Sequence, residues 1–376
     1  MILVDWMPYA FRAWLISPDG HVLHQINTQD GVFEVSHRQF GETLLSLCSA
    51  WIKRHDDAII YAFGTIGTAD GWIEVPNIKC PVSLSAILEG AVQPTTAFAD
   101  VNTQLAKRCT TILPGAHYYG GNGEVGLMRT AAAAALGLGL HEGIICIPGP
   151  QTKWVEIKNS KIERFYAFSS FEMMGLLRRM FNVVHIHAPD TDHTLFDRGL
   201  KFAWRKNAMP PANKQAQGLL IRNIGMQEPD ESVDYSPSIL RMNAEIRHHI
   251  MLGNMHPRQL SGFLSGVVIG NEIADAWHLF GQPKHIYLIA DGDDKIHYEH
   301  AITLKGARID HCGFPQSLYQ CLKYMQKHMQ NNVVKDAPNG MFDPPVINSA
   351  LSAQSNLPNI DNIFSARSNS GSGNIF

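Results

Sequence analysis

The most constraining feature of this sequence is a pattern of three strands that occurs twice, about 140 residues apart. Apolar or alternating runs predict the strands, and turn residues separate them. The first copy covers residues 2–26, with a loop at Asp5–Tyr9 between its first two strands. The second covers residues 144–168, with Pro148-Gly149-Pro150 breaking the chain at the corresponding point. An internal repeat of this kind predicts an α/β protein built from two related halves.

The length of 376 residues suits two such domains and a tail. We predict an N-terminal domain over residues 1–140 and a C-terminal domain over residues 141–330. Residues 331–376 are rich in Asn, Ser, Pro and Gly and have few charges, so they predict a disordered tail. Asn-Ile-Phe occurs at residues 362–364 and again at 374–376, which is either chance in a low-complexity segment or a docking motif for a protein partner.

Composition excludes several classes of partner. A net charge of -3 gives no reason to expect nucleic acid or a membrane surface. The N-terminus lacks the features of a signal peptide, and no apolar run approaches the roughly 20 residues that span a bilayer. Six cysteines without a Cys-x-x-Cys pair fit a reducing compartment. We therefore expect a cytoplasmic protein.

The stretch Gly64–Trp72 has three glycines directly after a predicted strand, which would let the backbone approach a ligand. Together with Glu74, Pro76 and Cys80-Pro81, it resembles the 2-dehydro-3-deoxygalactonokinase family, whose members carry Gly-x-x-Gly-Ser-x-x-Gly-Trp, then Glu-x-Pro and Cys-Pro. The resemblance continues in order from about residue 2 to residue 315. Its other matches are Val4-Asp5-Trp6, Arg12–Leu15, Ile112–Gly115, Met128-Arg129, Pro148-Gly149, Lys153–Val155 and Phe263–Gly270.

The resemblance implies both a fold and a reaction. The family belongs to the actin-like ATPase superfamily, which implies two ribonuclease-H-like halves around a central cleft, with ATP between them. Its reaction is the ATP-dependent phosphorylation of a 2-keto-3-deoxy sugar acid at O6, with magnesium as the second cofactor. The implied fold agrees with the repeat, which was identified without it.

The resemblance also implies roles for individual residues. Five would hold the sugar acid, one would orient magnesium and two would meet phosphate. The sugar-acid residues are Arg12, Gly67, Thr68, Trp72 and Arg129; Asp5 is the magnesium residue; Gly149 and Lys153 are the phosphate residues.

The motifs that handle phosphate depart from the family pattern. The family's Gly-Ser-Thr is Met7-Pro8-Tyr9 here, and its Pro-Gly-Thr-His is Pro148–Gln151. Proline has no N–H to offer a phosphate. Where the family has a Gly-Thr-Ser-type loop near the adenosine, this chain has Asp291–Asp294, which either repels phosphate or forms a solvated acidic turn.

The catalytic base is also missing. After Met128-Arg129 the family has Gly-Glu-Glu, the source of its expected base, whereas this chain has Thr130, Ala131 and Ala132. Alanine cannot accept a proton, so another carboxylate would have to serve as the base, and Glu172 is one candidate. The alanines also predict a helix over Leu127–Leu140.

Two functions are therefore open. One is the family's kinase reaction, impaired here, with Mg and ATP as cofactors. The other is a catalytically inactive pseudokinase that binds a sugar acid or a protein and needs no cofactor. The loss of phosphate motifs beside retained sugar-side motifs favours impaired or absent activity.

Overall fold

The structure is a computed structural model, and the residues it describes are 1–36, 39–55, 58–94, 110–121, 123–183, 194–205, 239–256 and 259–333. They form two compact units: the first contains the described residues of Met1–Phe168 and those from Pro283 to Val333, and the second contains the described residues of Ser169–Gln282. The described strands are β1 (Ile2–Trp6), β2 (Phe11–Ile16), β3 (Val22–Thr28), β4 (Ile60–Gly64), β5 (Ile78–Lys79), β6 (Thr110–Ile112), β7 (Ala116–Tyr119), β8 (Val125–Met128), β9 (Gly143–Ile147), β10 (Thr152–Lys158), β11 (Lys161–Phe168), β12 (His285–Ile289) and β13 (Arg308–Cys312).

The described α-helices connect these strands or follow the last of them. Those of the first unit are α1 (Phe40–Arg54), α2 (Leu84–Glu89), α3 (Thr130–Gly137), α8 (Gly292–Leu304) and α9 (Phe314–Val333). Those of the second unit are α4 (Ser170–Met180), α5 (Thr194–Trp204), α6 (Ile239–Met251) and α7 (Leu260–Phe280).

The first unit contains two five-stranded sheets of the same topology. One has the order β3-β2-β1-β4-β6 and the other β11-β10-β9-β12-β13. In each sheet the first three strands are antiparallel and the last two pair in parallel. The hairpins even share a shift of register, between Leu15 and Ile16 in one and between Glu156 and Ile157 in the other. The duplication that the sequence predicts is confirmed.

The two sheets of the first unit share one hydrophobic core. Buried residues of β1, β2 and β4 belong to the same cluster as those of β9, β10 and β11, with helices α3 and α9 among them. Helix α3 is the alanine-rich segment, and its small side chains let α9 approach closely. A Cβ on Gly137, at the end of α3, would lie only 1.8 Å from the carbonyl oxygen of Ser317 in α9.

Helix α9 is also tied to the turn between β2 and β3. The Tyr319 hydroxyl donates a hydrogen bond of 2.7 Å to the carbonyl oxygen of Pro18, 301 residues earlier in the chain. Gly20 in this turn has φ of +96°, and a Cβ there would come within 2.5 Å of the Tyr319 ring. Helix α9, the last described helix, therefore contacts the turn of the hairpin formed by β2 and β3.

The second unit consists of helices in its described part. Helices α5 and α7 approach backbone to backbone, since a Cβ on Gly199 would lie 2.2 Å from the carbonyl oxygen of Phe263, and one on Gly266 would lie 2.1 Å from that of Phe196. Inside this unit the buried Glu272 of α7 accepts a hydrogen bond from the Ser170 hydroxyl at the start of α4.

Some predicted boundaries differ from the structure. The helix predicted over Leu127–Leu140 is shorter, because β8 occupies Val125–Met128 and pairs with β7 before α3 begins. The boundary at residues 140 and 141 stays a prediction; contacts place both sheets in one unit. Helix α9 extends to Val333, inside the predicted tail, and residues 334–376, with both Asn-Ile-Phe copies, lie outside the described residues. Within the described ranges no helix is long and apolar enough to cross a membrane.

The close approach of α3 and α9 leads to a stability prediction. Gly137→Ala should lower the free energy of unfolding by about 1–3 kcal/mol, because the new methyl group overpacks the contact with Ser317. Gly175→Ala in α4 is the matched control, since a Cβ there meets nothing within 4 Å and alanine favours a helix by about 1 kcal/mol. Urea unfolding of both variants measures the difference, and equal midpoints would contradict the close-packed contact.

Candidate active site

Asp5 is the central carboxylate of the first sheet. It lies in strand β1 opposite Arg12 of β2, whereas the sequence places it in a loop; the pairing of β1 continues to Trp6. The side chain is only 2% exposed. Its Oδ2 accepts a hydrogen bond from the Arg12 guanidinium, and its Oδ1 accepts one of 2.5 Å from the hydroxyl of Thr130. Both oxygens of this buried charge therefore have a donor, as a buried carboxylate requires.

Arg12 also reaches the start of helix α9, which follows the last strand of the second sheet. Its guanidinium carbon lies 5.6 Å from the ring centroid of Trp14 and 5.5 Å from that of Phe314, the first residue of α9. The backbone N–H of Phe314 donates a hydrogen bond of 3.0 Å to Oδ2 of Asp291, which directly precedes α8. Asp5 lies near the end of the parallel strand β1, and Asp291 follows the parallel strand β12 of the other sheet. The carboxyl ends of parallel strands are where α/β sheets bind ligands.

Asp291 is not the solvated acidic turn that the sequence suggested. Burial raises the pKa of its carboxyl group, and the hydrogen bond from Phe314 N–H and the charges of His311, Arg12 and Lys295 oppose that rise. The segment starts a helix at Gly292 instead of forming a turn. Among residues 291–294 only Asp293, the second residue of the helix, is exposed.

The first predicted phosphate loop, Met7-Pro8-Tyr9, lies in the connection of residues 7–10 between β1 and β2, and this connection is bonded to a neighbouring segment. Within it, the Met7 N–H donates to the carbonyl oxygen of Ala10 at 2.9 Å. The carbonyl oxygens of Met7 and Pro8 accept hydrogen bonds from the N–H groups of Val32 and Phe33 at 2.9 and 3.0 Å. The Met7 amide is therefore already used inside the loop.

The second predicted phosphate loop, residues 148–151, occupies the same place between β9 and β10. Gly149 has open space beside its Cα, since an added Cβ would meet nothing within 4 Å. Lys153 is buried at the start of β10, and its ammonium group donates to Oε1 of Gln151 at 3.2 Å. This loop keeps an open glycine beside a cation, as a phosphate site needs.

The glycine-rich stretch forms a tight turn against Arg129. Gly64 has φ of +91°, and a 3₁₀ turn follows over Thr65–Gly67. The Arg129 guanidinium donates a hydrogen bond of 3.0 Å to the carbonyl oxygen of Gly67. Burial lowers the pKa of Arg129 and the nearby charge of Glu74 opposes this, yet arginine stays protonated in proteins. A fixed cation therefore lies at the start of α3.

The other two residues of the predicted sugar-acid set have local roles. Thr68 donates its hydroxyl to the carbonyl oxygen of Thr65 at 2.8 Å. The Trp72 side chain is partly buried and packs against the core of the first sheet. The backbone N–H of Trp72 donates a hydrogen bond to the carbonyl oxygen of Ile66. Within the predicted sugar-acid set, a described hydrogen bond joins Arg129 with Gly67. Arg12 is instead bonded to Asp5, the predicted magnesium residue.

The two alanines at the expected base position are explained by packing. Ala132 is fully buried in the core shared by the two sheets, and Ala131 packs against that core. A carboxylate at residue 132 would be a buried charge without a partner. Glu172, the substitute that the sequence suggests, is exposed in the first turn of α4 and belongs to the second unit.

Sequence reasoning missed the parts played by Thr130 and Asp291. Thr130 appeared only as the replacement for a family glycine, although a hydroxyl at the first position of a helix beside a buried carboxylate is a usable signal. Asp291 accepts a hydrogen bond from Phe314 of α9 and is affected by the charge of Arg12, which lies near the other end of the chain, so no local pattern predicts its surroundings.

Comparison with known proteins identifies the family. A family profile described as 2-keto-3-deoxy-galactonokinase matches residues 5–214 and 230–320. The chain belongs to this family. A protein of Rhizobium meliloti (strain 1021) described as a probable 2-dehydro-3-deoxygalactonokinase is 26% identical over 312 residues, covering 81% of this chain and 90% of the relative. The 2-dehydro-3-deoxygalactonokinase of Escherichia coli (strain K12) is 24% identical over 308 residues, covering 82% and 91%.

A solved structure confirms the fold. The crystal structure of a Sinorhizobium meliloti protein assigned as a 2-dehydro-3-deoxygalactonokinase has a TM-score of 0.64 and 20% identity, covering 87% of this chain and 98% of that one. The fold is the actin-like ATPase fold of sugar kinases, as the repeated sheets and the sequence resemblance predict.

The burial of Asp291 leads to a pH prediction. Because its pKa is raised in the folded state, the folded chain holds a proton there that the unfolded chain has lost, so this group lowers stability as the pH rises above its ordinary value of 3.8. Asp291→Asn keeps an acceptor for the Phe314 N–H without the charge. It should raise the urea midpoint at pH 7.

The gain should shrink as the pH is lowered towards 4, because the wild-type carboxyl group then becomes neutral as well. Asp293→Asn, an exposed carboxylate in the same helix, is the control and should change the free energy of unfolding by about 0.5 kcal/mol or less. An Asp291→Asn chain that is less stable than wild type at pH 7 would mean that its ionised form is favoured by the fold.

Proposed function

We propose that this protein phosphorylates a 2-keto-3-deoxy sugar acid at O6 with ATP. Membership of the kinase family supports the reaction, and the observation that carries the proposal is the pair of anchored arginines, Arg12 on Asp5 and Arg129 on the Gly67 carbonyl oxygen. The substrate is an anion and phosphoryl transfer develops negative charge, so fixed cations are what the reaction needs.

In this proposal the start of α3 recognises the sugar acid. The planar guanidinium of Arg129 uses one amino group on Gly67 and has further N–H donors for a carboxylate. Gly67 lies beside it without a side chain, and a Cβ there would come within 3.4 Å of that guanidinium. Thr68, Trp72 and Arg12 complete the proposed sugar-acid set, as the family resemblance implies.

The residues present also fit a role for Asp5 towards magnesium. Among the described residues no group of three or more His, Cys, Asp or Glu side chains could form a metal cage. Mg²⁺ bound with a nucleotide uses only one or two carboxylates, with phosphate oxygens and water. Each Asp5 oxygen has a lone pair beyond the one used by Arg12 or Thr130. When bound, magnesium would offset the phosphate charge, while Gly149 and Lys153 face phosphate.

The reaction also needs a proton acceptor for the sugar hydroxyl. Helix α3 supplies none, because Ala131 and Ala132 are the residues there. Glu172 is the candidate, as an exposed carboxylate near the N-terminus of α4, and Glu172→Gln is the variant that tests it. The departures in the phosphate loops predict a slow kinase. No comparison supports the alternative of an inactive scaffold.

A coupled assay with ATP, Mg²⁺ and 2-dehydro-3-deoxygalactonate tests the proposed reaction, with mass spectrometry of the product. Arg129→Met should raise KM for the sugar acid about tenfold or more, because a charge-assisted hydrogen bond is lost. Arg164→Met, which removes an arginine paired with Glu156 on the hairpin of β10 and β11, is the control and should leave KM unchanged. Wild-type protein that forms no phosphorylated sugar acid at millimolar ATP would overturn the proposal.

The altered first loop predicts weak nucleotide binding. Millimolar Mg·ATP should leave the melting temperature of the wild-type chain unchanged. Replacing Met7-Pro8-Tyr9 by the family's Gly-Ser-Thr should lower the Kd for Mg·ATP about tenfold to a hundredfold, because each restored charge-assisted hydrogen bond contributes about 1.5–3 kcal/mol. Isothermal titration calorimetry measures this Kd. An affinity equal to wild type would show that the loop does not limit binding.

A further inference from the structure

The hydroxyl of Thr130 is bonded to the one buried carboxylate described at the centre of the site. Thr130 is the first residue of α3, its side chain is 8% exposed, and it donates 2.5 Å to Oδ1 of Asp5, 125 residues earlier in the chain. A carboxylate can only accept, so the hydroxyl proton points towards Asp5. The hydrogen bond therefore links the start of α3 to strand β1.

Oδ1 of Asp5 also lies close to the backbone of Gly64. Gly64 lies on the same side of Asp5, and a Cβ added there would come within 3.1 Å of Oδ1. Oδ2 is already held by Arg12. With one donor on each oxygen, the plane of the carboxylate is fixed. A glycine at residue 130, as in the family pattern, would leave Oδ1 without its described donor.

Thr130 is also adjacent to the proposed substrate arginine. Arg129 precedes it and is bonded to the carbonyl oxygen of Gly67. One short turn of chain therefore holds a cation on the sugar-side loop and a carboxylate on the first strand. Any shift of this turn moves both groups together.

We propose that Thr130 is a positioning residue, which orients the Asp5 carboxylate for the phosphoryl-transfer reaction. The inference rests on the proposed function, because orientation of Asp5 matters to a rate only if the kinase reaction occurs. Thr130 does not itself contact the reacting atoms. Its effect is exerted through Asp5, so the turnover rate should depend on it more than sugar-acid binding does.

The test compares Thr130→Val with Thr130→Ser and with Thr110→Val. Valine has the shape of threonine without the hydroxyl, and serine keeps the hydroxyl. Thr110 of β6 is another fully buried threonine of the first unit, and its hydroxyl has no hydrogen-bond partner within the described ranges, so it is the matched control. Folding of each variant is checked by circular dichroism.

We expect Thr130→Val to lower kcat about ten- to a hundredfold, as expected for loss of a hydrogen bond to a charged group, with KM for the sugar acid changed less than about threefold. Thr130→Ser should retain kcat within about threefold, and Thr110→Val should match wild type. The magnesium concentration for half-maximal rate should rise in Thr130→Val. If valine prevents folding, Thr130→Ala is measured by the same criteria.

A second measurement needs no activity. Urea unfolding of Thr130→Val, Asp5→Ala and the double variant forms a cycle in the ligand-free chain. Valine lacks the donor and alanine lacks the acceptor, so each change removes the same bond and the two effects should not add. Additive effects would overturn the contact itself. Non-additive stabilities with an unchanged kcat and magnesium dependence in Thr130→Val would make the bond purely structural and overturn the positioning role.

The failure of the inference is distinguishable from that of the proposed function. A wild-type chain that forms no product overturns both. A wild-type chain that turns over, with Thr130→Val turning over equally fast, overturns the inference alone and leaves the kinase proposal standing.

Discussion

The contact between helices α3 and α9 is the interaction on which the first unit depends. These helices lie in the core that is shared by the two five-stranded sheets, and they can lie close together only because α3 consists almost entirely of alanine and glycine. Larger side chains there would separate the helices and open cavities on both sides, which cost stability in proportion to their volume. Two sheets of identical topology thus become one unit through a pair of helices that belongs to neither.

The same packing explains why this chain departs from its family where it does. Ala132 is inside the core, and the position cannot hold a charge without a partner. Thr130, two residues earlier at the helix start, faces Asp5 and provides a hydroxyl where the family has glycine. Within one turn of helix, where the resemblance implies an acidic motif, this chain has a packing surface and a hydrogen-bond donor. The anchored arginines on either side, Arg12 and Arg129, are retained.

Periodicity and turn residues predict the repeated hairpins because both are local properties of the chain. The three antiparallel strands that occur once in each sheet follow from such patterns. The site is harder, because its contacts are not local. Asp291 is half-buried and accepts a hydrogen bond from the start of α9, and Asp5 meets Thr130 across 125 residues. Motif resemblance assigns Arg129 and Gly67 to one sugar-acid set, and the structure bonds them to each other. No pattern in the sequence indicates that Asp5 has a donor on each oxygen.

The hydrogen bond from Tyr319 to Pro18 has a consequence for how the chain is made. The hairpin of β2 and β3 is complete within the opening residues of the chain, yet Tyr319, which bonds to its turn, lies 301 residues after Pro18. At ribosomal rates of about 5–20 residues per second, the nascent first sheet waits roughly 15–60 s for α9 to emerge. During that interval the apolar faces of Leu3 and Trp14, which α9 later helps to cover, are exposed to other chains. Synthesis of this protein should therefore make more demands on chaperones than its two compact sheets suggest.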